Sequence, residues 1–223
     1  MAITVHHLNN SRSQRVLWLL EELGVSYDIK FYERDPLTKL APPELKMVHP
    51  LGKSPVVEDG ENILAETGAI VEYLIERHGG ESLRPPPGSL ERLRFTFWLH
   101  YAEGSAMPPL LLKLIFRMLP SRSPWLLRPI IDLVAAKAQA GLIDPQLQTH
   151  FNYWESELGH ATWFAGETFS AADIMMSFPV EAAATRGDAL AARPKLAAFL
   201  ERVHTRPAYQ RALERGGPFQ LGG

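Results

Sequence analysis

The chain is predicted to join an α/β amino-terminal unit to an all-α carboxyl-terminal one, and three observations carry that prediction. Strand and helix patterns alternate through residues 1–80, whereas nearly everything beyond Ser89 repeats its apolar residues at helical spacing. Between the two lies Gly79-Gly80-Glu81-Ser82-Leu83-Arg84-Pro85-Pro86-Pro87-Gly88, whose consecutive prolines lack amide donors and hold the chain extended. Charge changes at the same place: residues 1–80 hold 8 Lys+Arg and 12 Asp+Glu, a net of −4, and the remainder a net of +2. The expected division is 1–80, a connector at 81–88, and a helical unit at 89–223.

The elements follow in order. Ile3–Leu8 reads as a buried strand, and Arg12–Leu23 as a helix with Val16, Leu17, Leu19, Leu20 and Leu23 on one face and Gly24 at its end. Tyr27, Ile29 and Phe31 alternate with polar residues as a second strand does. A short helical patch at Glu44–Val48 precedes Pro55–Glu58 and Asn62–Ala65, which the pair Asp59-Gly60 joins as a hairpin. Glu66–His78 closes the unit as a helix. Beyond the connector, a long helical pattern starts at Ser89 and pauses at Gly104 and at Pro108-Pro109. Further helices are expected at Trp125–Ala140, Asp144–Leu158, Ala171–Arg186, Pro194–His204 and Pro207–Arg215. Ser170 and Asp173 have capping-box spacing, which assigns them to structure rather than chemistry.

Composition excludes several functions. The 223 residues contain no cysteine, which removes disulfides, thiolate metal sites and any protein thiol nucleophile. The net charge of −2 offers no basic field for nucleic acid. Met107–Leu119 and Trp125–Ala136 are interrupted by Pro and Arg, well short of the ~20 apolar residues of a membrane span. The opening MAITVHHL has no targeting pattern, so a cytoplasmic protein is expected. Gly52-Lys53-Ser54 is no phosphate loop: Met47 stands where the first glycine belongs, and Pro55 where a helix should begin. His6 and His7 adjoin on a strand and face opposite sides, so they cannot share a metal, and no metal is expected.

Three features converge on chemistry. Asn9-Asn10-Ser11-Arg12-Ser13 forms a turn at the carboxyl end of the first strand, where open α/β sheets bind ligands. Ser54-Pro55 opens a strand, where a cis bond turns the serine amide and carbonyl outward toward an extended peptide. Glu66-Thr67 opens a helix and offers a carboxylate for an ammonium, with a hydroxyl and free amides for a carboxylate. Each also has an ordinary structural explanation, namely an N-cap, a trans turn and dipole compensation.

Taken together, ITVHHLNNSRSQRVLWLLEELG, HPLGKSPVVEDG, LAETGAIVEYL and, in the helical half, GETFSAADIMM resemble the glutathione S-transferase family. The bacterial and fungal transferases with a serine-type turn look closest. The resemblance implies a thioredoxin-like amino-terminal domain that holds glutathione as co-substrate and a helical bundle that covers a hydrophobic electrophile. It implies that Ser11 donates its hydroxyl to the glutathione sulfur, with Asn10 and Ser13 as alternative partners. Ser54, before a cis Pro55, pairs with the cysteinyl unit; Glu66 and Thr67 hold the γ-glutamyl end; Lys53 and Lys39 meet the glycyl carboxylate. Tyr101, Met107, Leu111 and Phe116 are the candidates for the electrophile pocket, and plain bundle core is the competing role for each. Glu103 is a candidate to reach a neighbouring subunit's glutathione in a homodimer. Position 54 departs from the family by carrying serine in place of an apolar residue. The activity implied is conjugation of the glutathione thiolate to electrophilic small molecules in detoxification. The alternatives are glutathione-dependent reduction of disulfides or peroxides, and a non-catalytic interaction module.

Overall fold

The computed structural model describes residues 3–186 and 189–221. Four strands, β1 (Ile3–Leu8), β2 (Tyr27–Tyr32), β3 (Val56–Asp59) and β4 (Asn62–Ala65), form one sheet in the order β2-β1-β3-β4. β1 runs parallel to β2 in a register that pairs Ile3 with Tyr27, and antiparallel to β3, which continues into β4. Central β1 is covered on both faces, which is why its residues do not alternate in polarity. His6 and His7 are both buried and project to opposite sides, His6 to Tyr32 and Glu58, His7 to Ser13.

Helix α1 (Ser13–Leu23) crosses between β1 and β2, α2 (Leu45–Val48) is a single turn, and α3 (Thr67–Arg77) follows the hairpin. Gly24 ends α1 in the left-handed region at φ 64, where a Cβ would be strained. The second half is helical: α4 (Leu90–Tyr101), α5 (Met107–Met118), α6 (Arg128–Ala138), α7 (Asp144–His160), α8 (Ala171–Arg186), α9 (Pro194–His204) and α10 (Pro207–Gly216). This is a thioredoxin-like amino-terminal domain with a helical carboxyl-terminal bundle. A 3₁₀ turn at Gly80–Leu83 lies between them.

Two expected breaks differ in form. The pause at Gly104 and Pro108-Pro109 is a π turn, Ala102–Ala106, that carries α4 into α5. The prolines lack the amides that would bond back to Gly104 and Ser105, so the chain widens there instead of stopping. The helix expected over Trp125–Ala140 begins only at Arg128, with Pro129 in its first turn, and passes through another π turn, Gln139–Ile143.

The two halves share one core. Trp18 of α1 is fully buried, 5.7 Å from the Phe169 ring and 5.2 Å from that of Tyr209, and its Nε1 donates to Glu22 at 2.8 Å. Arg206 donates to both Glu22 oxygens at 2.6 and 2.9 Å while lying over Phe169. α10 ends so close to α1 that a Cβ on Gly216 would stand 2.5 Å from Leu17 Cδ1. Asp173 is buried at the start of α8 and accepts from the amides of Phe164 and Ser170 at 2.8 and 2.9 Å. The Ser170 hydroxyl donates to Asp173 rather than capping an amide, so the carboxylate organises this turn.

Candidate active site

The amino-terminal domain brings the first candidate turn to the mouth of a cleft of about 510 Å³ between the two halves. Asn9, Asn10, Ser11, Arg12, Arg34 and Lys39 line one side; Met107, Leu111, Leu114, Met118 and Phe178 line the other, with Gln220 and Leu221 across one end. Ser11 stands two residues before α1, with Arg12 at the N-cap position between them, and is only 4% exposed. Its Oγ accepts the Ser13 amide at 3.2 Å and lies 2.7 Å from Ser13 Oγ.

The geometry separates the three candidate partners for sulfur. Ser13 is fully buried, and its hydroxyl turns inward to His7 Nδ1 at 2.9 Å and the Leu8 carbonyl at 3.3 Å. Asn10 is exposed, and its Oδ1 accepts the Gln220 amide at 2.8 Å. Ser11, although largely buried, lines the cleft close to the positive end of α1. Burial lowers His7 to about 4, against the Gly216 carbonyl, so the group behind Ser13 is a neutral imidazole.

The other stations lie along the same edge of the sheet. The Ser54–Pro55 peptide is cis. Ser54 Oγ donates to the His6 carbonyl at 2.8 Å and accepts the Leu8 amide at 3.2 Å, so the serine that departs from the family ties this turn to β1. Glu66 precedes α3 at φ 68, exposed and without a carboxylate–cation partner among the described residues. Thr67 is buried at the first position of α3, where the leading amides have no helical partner. Lys39 and Lys53 are exposed cations that join no ion pair among the described residues. Asn10 at φ 49, Lys39 at φ 62 and Glu66 at φ 68 are the non-glycine residues with positive φ among the described residues, and all three stand on these candidate stations. Such conformations cost roughly 1–3 kcal/mol each and gather at ligand sites.

The apolar candidates divide between the cleft and the bundle. Met107 and Leu111 line the cleft, but Tyr101 and Phe116 do not. Met107, Leu111, Leu114 and Met118 follow one helical stripe, and Phe116 lies about 140° around the helix from Leu111. Phe116 packs against the core instead. Tyr101 turns to α7, where its Oη accepts Trp154 Nε1 at 3.0 Å and bonds His150 Nδ1; burial pushes its hydroxyl up to about 12. Glu103, the candidate to reach another subunit, is engaged within its own chain. Arg12 Nε donates to both its oxygens at 3.0 and 2.9 Å, and Arg15 joins the same carboxylate. Arg15 is buried and also donates to the Met175 carbonyl at 2.8 Å. Burial raises Glu103, but the charges of Arg15 and Arg12 outweigh it and hold the carboxyl below its usual range.

Sequence reading missed Leu114, Met118, Phe178, Arg34, Arg186 and the chain end at Gln220-Leu221. The helical stripe from Met107 was a signal for the first two; the others come from distant segments and left none. Among the described residues there is no group of three side chains suited to a metal, and no helix is long and apolar enough to cross a membrane.

Known proteins share both halves. Residues 1–76 match the family model described as glutathione S-transferase, N-terminal domain, and residues 131–215 match glutathione S-transferase, C-terminal domain. The chain is 34% identical to glutathione S-transferase 3 of Schizosaccharomyces pombe over 96% of its own length and 87% of that protein's. It is 32% identical to glutathione S-transferase 1 of Saccharomyces cerevisiae, over 96% and 94%. A glutathione S-transferase crystal structure from Actinobacillus pleuropneumoniae superposes with a TM-score of 0.83 at 32% identity, covering 98% of this chain and 95% of that one. A sphingomonad glutathione S-transferase complexed with glutathione has the same fold, with a TM-score of 0.72 at 24% identity and coverage of 96% and 98%. The chain belongs to the glutathione S-transferase family.

Proposed function

We propose that the cleft binds glutathione along the edge of the amino-terminal sheet, ionises its thiol against Ser11, and directs the thiolate at an electrophilic carbon held on the α5 wall. The observation that carries this reading is that Asn10, Lys39 and Glu66, the non-glycine residues with positive φ among the described residues, all belong to the segments that the family resemblance assigns to glutathione. The Ser54 backbone beside Pro55 pairs with the cysteinyl unit, Glu66 takes the α-ammonium, Thr67 and the α3 amides take the γ-glutamyl carboxylate, and Lys39 and Lys53 take the glycyl carboxylate. The sphingomonad relative is complexed with glutathione, which supports the same ligand here.

The energetics are sufficient. A cysteine-like thiol has a pKa of ~8.5, and lowering it two units takes about 2.7 kcal/mol. A hydrogen bond to a charged group supplies ~1.5–3 kcal/mol. A helix amino terminus adds up to ~2 kcal/mol. Ser11 exchanges its bond to Ser13 for a stronger one to sulfur and never ionises. The thiol proton leaves to solvent, the sulfur–carbon bond forms, and the leaving group departs with its electron pair. The reading divides the labour at 1–80, 81–88 and 89–223, and a cytoplasmic setting, where glutathione is kept reduced, suits it.

Glutathione titrated by calorimetry, followed by assays of chloronitrobenzene conjugation and disulfide reduction, tests the function. Binding with conjugation is expected; reduction alone would replace conjugation as the activity, and no binding at millimolar glutathione would make the fold an interaction module. Glu66→Ala is expected to raise the glutathione Kd about tenfold or more, since it removes a charge-assisted contact remote from sulfur, and to change turnover at saturation little.

The protein is also proposed to pair as a homodimer. Leu90, Leu93 and Phe97 form an exposed apolar stripe on α4 at 68%, 69% and 45% exposure, and a second copy of this chain is the proposed cover. Sedimentation is expected to give twice the 25.0 kDa chain mass; a monomer at micromolar concentration contradicts the pairing.

A further inference from the structure

The wall assigned to the electrophile is not neutral. Its apolar stripe meets guanidinium groups from both halves of the chain: Arg12 and Arg34 from the sheet side, and Arg186 from the last turn of α8. Arg12 already has a counter-ion, because Glu103 is shared between it and Arg15. The carboxylate that lines the cleft, Asp35, turns back onto its own loop and accepts from Leu37 and Thr38. Arg34 spends its donors on the carbonyls of Asn9, Asn10 and Lys39, which orient the group without cancelling its charge.

Arg186 has no carboxylate partner among the described residues; it lines this cleft and also borders a neighbouring pocket with Lys113, Arg117 and Asp144. A guanidinium on the cleft with no carboxylate to balance it favours an anionic ligand over a neutral one. Arg12, Arg34 and Arg186 line the same cleft, and burial, then the like charge of Arg12, holds both Arg34 and Arg186 below the ordinary arginine value.

We propose that the electrophile taken by this cleft is an organic acid, an apolar body that lies on the Met107–Met118 stripe and carries a carboxylate or similar anion to Arg186. The inference rests on the transfer reading above, which gives this wall to the second substrate. The planar guanidinium suits an oxyanion through two parallel hydrogen bonds, and the stripe takes the rest of the molecule out of water. Lys39 and Lys53 serve the carboxylate of glutathione, so the two acids do not compete for one cation.

Dinitrobenzoate and dinitrobenzene share a ring, differ by the carboxylate, and carry no halide to be displaced. Each is titrated into the full chain by quenching of tryptophan emission, with the wild type, Arg186→Gln and Arg186→Lys. The wild type is expected to bind the benzoate about tenfold tighter, Arg186→Gln to bring that ratio near one, and Arg186→Lys, which retains the charge, to keep part of it. Equal affinities in the wild type, or a ratio unchanged in Arg186→Gln, overturn the inference. A calorimetric glutathione titration on the same samples separates the two claims. Lost glutathione binding with the benzoate preference intact sinks the transfer reading and leaves only an acid-binding cleft, and the reverse sinks this inference alone.

Discussion

Ser11→Ala is expected to lower conjugation turnover at neutral pH by about 10- to 100-fold while the glutathione Kd stays within several-fold. The hydroxyl lies on the cleft against the start of α1, and the contact it makes with sulfur is strong only when sulfur is charged. Losing a hydrogen bond to a charged group costs ~1.5–3 kcal/mol, which sets that range. In the proposed binding mode the rest of glutathione is held elsewhere, by Ser54, Glu66, Thr67 and the lysines, so affinity is expected to be largely spared. The direction with pH follows. Without the hydroxyl the bound thiol titrates higher, so the deficit is greatest near neutrality and shrinks as solvent pH alone forms the thiolate. A deficit that persists at ~pH 9, above the free thiol value, would assign Ser11 to geometry rather than ionisation. Steady-state rates across pH at saturating glutathione give the answer. Unchanged turnover at neutral pH would pass the role to Asn10, since Ser13 is buried and faces His7.

Glu103→Ala is expected to cost about 3–5 kcal/mol, because it leaves the buried Arg15 guanidinium without its anion. For a chain of this size that is a fall in Tm of roughly 6–20 °C. The contact joins α1 to the π turn between α4 and α5, so its loss loosens the two walls of the cleft against each other. Glu103 is held below the usual carboxyl range in the folded state, so its contribution is complete above the unfolded carboxyl value and is lost as pH falls through the folded one. Wild type and variant should therefore converge in stability in acid and differ at neutral pH. Thermal melts at several pH values check this. Adding Arg15→Met to Glu103→Ala should recover part of the loss, since the unpaired charge is then gone.

Much of this architecture was legible because local patterns and tertiary demands agree. The stripe Val16 to Leu20, closed by Gly24, is helical both in isolation and against the core, and Asp59-Gly60 turns a hairpin wherever it lies. The candidate stations could be named for a related reason: each sits at the end of a strand or the start of a helix, where sequence marks the boundary. What escaped depends on pairings across the chain. Pro108 and Pro109 signal an interruption but not whether the helix breaks or widens, and the π turn depends on packing against α8. Tyr101 has the composition of a pocket residue, yet Trp154 and His150, some fifty positions away, draw it to the far side of α4. Arg12 and Arg15 share a helix face at a spacing of three, but their common partner Glu103 lies about ninety residues distant, and no local pattern announces it.

The account depends most on the state of the bound sulfur. Ultraviolet difference absorbance of glutathione added to the protein, recorded from acid to alkaline pH, reports the mercaptide directly. The wild type should show thiolate titrating about two units below the free thiol, and Ser11→Ala should move that titration back toward ~8.5. A bound thiol that titrates at its solution value in the wild-type protein would contradict activation by Ser11.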